Sequence, residues 1–241
     1  MRRVHQIFTC FLFCLCSLQA ATIAPTDALS PEEQQKKFKI PKGFVIELVV
    51  AEPDIGQPMN LNFDAQGRLW VSSSVEYPYP AKGDIDEPSG KFKKVSDHPP
   101  GDWLTVVSGL DKSDKVQTIK RFVGGLNIPI GTVPLNDGSS VLAYDIPSIR
   151  RHQDTDGDGV ADKNSIVYTR FGHRDTHGMS SSFTRWVDGW IYGCHGFANR
   201  STITDGSGET TKLYSGNTYR FSTDGSRFEQ FTWGQINPFG I

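Results

Sequence analysis

Two stretches of this sequence concentrate side chains able to do chemistry. The first is Asp154-Thr155-Asp156-Gly157-Asp158-Gly159-Val160-Ala161-Asp162. Oxygen donors at alternating positions, glycines for sharp turns, a backbone carbonyl and a further carboxylate suit Ca²⁺. The expected ligands are Asp154, Asp156, Asp158, the carbonyl of Val160, and Asp162. It is not an EF-hand, because Ser165 stands where the bidentate Glu of the twelfth position belongs, and the flanks read as strands. The expected role is a staple between strands; the alternative is a solvated turn with no metal. The parallel turn Leu110–Lys115 lacks the pattern and is expected to bind nothing.

The second stretch runs from Arg174 to Gly196, RDTHGMSSSFTRWVDGWIYGCHG. The two stretches are read together as one blade of a repeat protein. Aligning the repeats places His177 where the other copies carry Met59, Ile130 and Phe239. A titratable residue that breaks an apolar pattern marks a candidate site. Flanked by Arg174 and Asp175, His177 is a candidate general base, since imidazole exchanges protons near neutral pH. The alternative is a loop histidine bonded only to nearby backbone. His173, Arg174, His195, Asn199 and Arg200 form a weaker set, either anion-binding or solvated. Glu76-Tyr77-Pro78-Tyr79-Pro80 either lines a channel mouth or forms a rigid turn. Cys194 reads as a small buried hydrophobe.

These residues need elements to position them. Gly and Pro are frequent, at 24 and 14, and favour short strands and turns over long helices. The formal net charge is −2 with no basic block, which sets nucleic-acid binding aside. Residues 1–21 read as a secretory signal peptide: Arg2 and Arg3, an apolar run from Ile7 to Leu18, then Ala20 and Ala21. Export to the periplasm or cell envelope is expected. Cys10, Cys14 and Cys16 leave with that segment, so Cys194 has no disulfide partner. Residues 22–43 form an arm, with Ser30-Pro31-Glu32-Glu33 as a helix start. Phe44 to Val50 reads as a first strand.

From Pro58 a degenerate repeat follows. PMNLNFDAQGRLWVSSS, PIGTVPLNDGSSVLAY and the segment ending in WVDGWIYG each read as strand, Gly-containing turn, strand. Asp102–Gly125, Pro147–Gly172 and Asn217–Gly234 supply a second hairpin to each unit. Four-stranded units recurring every ~45–70 residues define an all-β propeller over residues 44–241, with about three blades and the start of a fourth at Asn237. Three blades leave edge strands unpaired, so a longer propeller is expected.

The order of these motifs, from the FDAQGRLWV hairpin through DTDGDGVADK and RDTHGM…DGWIYGCHGF to NPFG, resembles the membrane-bound dehydrogenase family of planctomycetes and verrucomicrobia. That family is related to soluble glucose and sorbosone dehydrogenases. The resemblance spans Phe38 to Ile241. It implies a six-bladed propeller that binds pyrroloquinoline quinone with Ca²⁺ and oxidises a sugar or alcohol. It also implies that His177, followed by Asp188-Gly189-Trp190-Ile191-Tyr192, is the general base. Arg174, Asp175 and Asn237 are the implied cofactor contacts. Ile236 stands where relatives carry an Arg before Asn-Pro. A downstream haem c domain or a cytochrome is the implied electron acceptor. Two other readings stand beside this one. One is a non-catalytic, Ca²⁺-stabilised propeller that binds a glycan or a protein. The other is a lactonase-like hydrolase, for which no ligand constellation is visible.

Overall fold

The computed structural model describes residues 27–82, 96–109 and 118–241. The segment read as a signal peptide, the Leu110–Lys115 turn and most of the loop between Tyr77 and Pro100 lie outside them. The chain divides into two units, residues 1–47 and 48–241. In the first, helix α1 (Pro31–Gln35) starts as its sequence requires. Ser30 Oγ accepts the Glu33 N–H at 3.2 Å, and Glu33 Oε2 accepts the Ser30 N–H at 3.0 Å, closing a capping box.

The second unit is all-β and propeller-like, with three four-stranded antiparallel sheets following one another along the chain. The first contains β1 (Pro58–Phe63), β2 (Leu69–Ser73), β3 (Asp102–Ser108) and β4 (Thr118–Leu126) in sequential order. The second contains β5 (Thr132–Pro134), β6 (Ser140–Asp145), β7 (Ser148–Gln153) and β8 (Lys163–Tyr168). The third contains β9 (Ser180–Arg185), β10 (Ile191–His195), β13 (Asn217–Phe221) and β14 (Phe228–Thr232). A hairpin of β11 (Ser201–Thr204) and β12 (Thr210–Leu213) is inserted between β10 and β13, which the repeat pattern did not announce. The first turn of each sheet uses the same device. A glycine in the left-handed region, Gly67, Gly138 or Gly189, follows an Asp whose carboxylate accepts backbone N–H groups across the turn.

Strand β5 lies between β1 and β9, so the first strands of the three blades are neighbours. Asn62 Nδ2 donates to the Thr132 carbonyl at 2.7 Å, and Ser182 N–H donates to the Ile130 carbonyl at 3.3 Å. Two apolar layers join the sheets. Trp70, Leu104, Val106, Phe122 and Leu126 pack on Val141 and Ala143 of the second blade. Tyr144, Tyr168 and Phe171 pack on Tyr219, Phe221 and Phe228 of the third. Rings of this size bury the largest apolar areas per residue, so these layers dominate the cohesion of the blades.

Three expectations change. Residues 44–50 form no strand; the Ile46 carbonyl accepts from Gln35 Nε2 at 2.7 Å instead of from a neighbouring strand. Apolar alternation is not sufficient without a backbone partner. Residues 237–240 are not in a strand either. Finally, the Asp-rich stretch and His177 do not share a blade. Asp154–Asp162 joins β7 to β8, whereas His177 leads into β9. In an up-and-down sheet successive turns alternate ends. The Asp loop therefore sits at the end that carries the β5–β6 turn, and His177 sits at the opposite end.

Candidate functional site

His177 lies in a short 3₁₀ turn, Thr176–Gly178, that links the second blade to the third. Asp175 caps the turn: its Oδ1 accepts the His177 N–H at 3.0 Å and lies 3.4 Å from His177 Nδ1. One carboxylate thus bonds the backbone of the histidine and lies within ion-pair distance of its ring. The imidazole keeps 41% of its surface exposed, while Asp175 is largely covered. A carboxylate beside an imidazole is an arrangement suited to orienting a base.

The turn is held from three sides. Asn199, 1% exposed, donates from Nδ2 to the carbonyls of Asp175 and Gly178, both at 2.8 Å, and accepts the Asp175 N–H at 3.1 Å. Thr176 Oγ1 donates to the Pro78 carbonyl at 2.6 Å. Tyr77 meets the His177 ring edge-on at 5.1 Å between centroids. Burial and the charge of Asp175 both push the Tyr77 phenol above its ordinary range. The Glu76–Pro80 segment is therefore a lip on the His177 turn. Gly178 is required here: a Cβ would lie 2.1 Å from the Phe197 carbonyl oxygen. Asn237 accepts the Phe197 N–H at 3.0 Å and so holds the same strand-end against the turn. Arg174 is exposed beside Asp175, and Ile236 is 76% exposed next to Asn237.

Two members of the weaker set have structural roles. His195 is fully buried between the Tyr214 carbonyl, 2.9 Å from Nδ1, and Ser201 Oγ, 2.7 Å from Nε2. Burial pulls its pKa down to about 4, so it is neutral in the fold. Asn199 is the clamp just described. Arg200 lies over the Tyr214 ring at 5.7 Å. Cys194 is buried in β10, and burial raises its thiol pKa.

At the other end of the sheets, Asp154, Asp156 and Asp158 bring carboxylate oxygens within 4.8 Å of one another. The loop builds this by successive side chain-to-backbone bonds. Asp154 accepts the N–H groups of Gly157 at 2.7 Å and Gly159 at 2.8 Å; Asp156 accepts that of Asp158, and Asp158 that of Val160. Desolvation works the other way, but the Gly159 and Gly157 bonds hold the Asp154 carboxyl below its ordinary range. Asp162 stands apart: both its oxygens accept from Thr155, at 3.1 and 2.6 Å. Ala161 N–H donates to the Phe122 carbonyl at 2.7 Å, and Lys120 Nζ to the Asp158 carbonyl, tying the loop to β4 of the neighbouring blade.

One pair had no signal in the motif spacing. Glu76 and Asp102, on the lip and on β3, are both buried carboxyls close to the His177 end. Only their later burial sets them apart from ordinary acidic residues.

Sheets and site together define an all-β, propeller-like protein with a histidine-bearing turn at one end and an acidic loop at the other. The chain belongs to the family described as a domain of unknown function, DUF7133, matched over residues 30–241. A search of curated proteins gives no match. Among solved structures the chain is similar to a luciferin-regenerating enzyme, at 14% identity and a TM-score of 0.40. That likeness covers 75% of this chain and 64% of the enzyme, so the chain spans 64% of its length.

Proposed function

We propose that this is an exported, dehydrogenase-like propeller that oxidises a sugar or alcohol hydroxyl, with His177 as the general base. The observation that carries this reading is the Asp175–His177 pair, with Nδ1 3.4 Å from Oδ1, set on a turn clamped by Asn199 and Thr176. Nε2 takes the hydroxyl proton while the carbinol carbon gives up a hydride, leaving a carbonyl. Asp175 then stabilises the imidazolium.

The hydride needs an acceptor, and a pyrroloquinoline quinone supplies that two-electron chemistry when bound. Arg174 offers an exposed cation for its carboxylates, and the Asn237 amide lies at the same end. A haem c domain or a cytochrome would receive the electrons. Ca²⁺ is proposed at Asp154, Asp156 and Asp158, whose clustered carboxylates need a countercharge. The Val160 carbonyl and Asp162 belong to the same proposal. Its role is structural, because the loop is at the opposite end of the blades from His177.

The test is turnover of a panel of sugars and alcohols by the full chain supplied with Ca²⁺, the quinone and a dye acceptor. His177→Asn is expected to lower kcat by about 10²–10⁴-fold with little change in Tm. Unchanged turnover removes the base role. The second reading, a non-catalytic glycan- or protein-binding propeller, draws on Asp175 and Asn199 being committed to the fold. It predicts that His177→Asn leaves ligand binding intact.

A further inference from the structure

Glu76 starts the lip that covers His177, and its carboxyl is in an unusual place. The side chain is 1% exposed. Oε1 accepts the Gly101 N–H at 2.7 Å, and His98 Nδ1 lies 3.7 Å from it. Oε2 is buried and makes no full hydrogen bond among the described residues; the Ala81 N–H, bonded to Asn127 Oδ1, acts on the carboxyl only weakly. Asp102 is the other carboxyl beside it, and it is served differently. It accepts from Ser74 Oγ at 2.6 Å, Val75 N–H at 2.8 Å and Ile128 N–H at 3.0 Å. Two buried carboxylates side by side do not both ionise without cost. Burial raises the Asp102 carboxyl too, but its bonds from Ser74, Val75, Ile128 and the Glu76 backbone oppose that, so of the pair Glu76, with the less satisfied oxygen, is the one that takes the proton first.

The same segment carries the lip. Ser74 Oγ accepts the Tyr77 N–H at 3.2 Å, the Tyr79 N–H donates to the Glu76 carbonyl at 2.9 Å, and Pro78 accepts from Thr176. Glu76 is therefore beside the buried Asp102 in space and next in the chain to Tyr77, whose ring meets His177 edge-on.

We propose that Glu76 is a positioning residue for the His177 site: its neutral carboxylic acid keeps the Tyr77–Pro78 lip docked, and loss of that proton loosens it. The significance of the lip for turnover rests on the reading of His177 as the base; the docking does not. Burial first, and the charge of Asp102 second, push the Glu76 pKa up to about 7 from 4.5. With the lip undocked and solvated the group returns toward 4.5. The docked state is thus fully favoured below about pH 4.5, loses ground as pH rises to about 7, and changes no further above that. The ionisable groups facing Glu76 are Asp102 from β3 and His98 from the preceding segment; Asp175 and His177 face Tyr77.

The experiment places 4-fluorophenylalanine, which has no phenol of its own to titrate, at position 77 of the full chain and follows its ¹⁹F resonance with pH. Both nearby imidazoles are removed by His98→Asn and His177→Asn so that they do not contribute. The resonance is expected to titrate with a midpoint near 7 in this background and to stay flat, at its low-pH position, once Glu76→Gln is added. Titration that survives Glu76→Gln, or no titration before it, overturns the proposal. Asp102→Asn gives a second arm: removing the neighbouring charge should lower the midpoint by about one pH unit, and an unmoved midpoint also overturns it. Turnover is read separately. A flat ¹⁹F profile sinks the role of Glu76 and leaves His177 as base, whereas full turnover in His177→Asn sinks the base and leaves the docking.

Discussion

His177 and His195 stand eighteen residues apart in sequence and show how environment divides two identical side chains. His195 has a partner on each ring nitrogen and no contact with solvent. His177 has one nitrogen against a carboxylate and a ring open enough to meet a ligand. The turn that carries His177 is held by Asn199, whose amide bonds both of its ends through three bonds. Asn199→Ala strands two carbonyls and an N–H in a buried site. It is expected to destabilise the protein by about 2–4 kcal/mol, read by urea unfolding, and, under the proposed base role of His177, to reduce turnover with it. A loss below half a kcal/mol in order of magnitude would show that water replaces the amide without penalty. The sequence made His177 visible because it breaks an apolar repeat position. It did not reveal the roles of Asn199 or Glu76, since a buried Asn or Glu looks like any polar loop residue until its neighbours are known.

At the scale of elements, the Asp loop is a connection whose work is to hold β7, β8 and the adjacent β4 in place. Its three gathered carboxylates repel one another, and a bound cation would remove that repulsion. Ca²⁺ is expected to raise Tm in the wild type and not in Asp156→Ala, measured by thermal melts with and without a chelator. Equal responses would remove the metal from the loop. The hairpins themselves were legible because Asp-x-x-Gly and Asn-Asp-Gly turns carry their own geometry, with Gly67, Gly138 and Gly189 at positive φ. The β11–β12 hairpin was not, because its strands are four residues each and pair only with one another. Residues 44–50 failed for the converse reason: a strand-like pattern with no ladder to join.

Across the whole molecule, stability follows pH through buried groups that pull in opposite directions. His195 has its pKa lowered from 6.5 to about 4 by burial. Its contribution is fully present above about 6.5 and is lost as pH falls toward 4. Glu76 is raised from 4.5 to about 7, so its contribution is present below 4.5 and is lost as pH rises to 7. The Tm of Glu76→Gln relative to wild type is therefore expected to climb between pH 4.5 and 7. The Tm deficit of His195→Gln is expected to shrink as pH falls from 6.5 to 4. Calorimetry across that range checks both; parallel curves for variant and wild type would show that neither group is held as described.

What the sequence by itself determined was local: turn chemistry, strand alternation, the helix cap at Ser30, the Asp loop and the out-of-pattern histidine. The turns, strands, cap and Asp loop each depend on residues within a dozen positions of one another, where backbone geometry is set by residue type, and the histidine stands out only when the repeats are aligned. Only the tertiary structure decided that the Asp loop and His177 lie at opposite ends of the blades, because that follows from counting strands between them. It alone decided that Tyr77, about a hundred residues before His177, packs edge-on against its ring, and that Glu76 and Asp102 share one buried space. Those pairings arise from sheets packing on sheets, and burial, which sets the protonation of a carboxyl, belongs to the assembled core and not to any short stretch of chain.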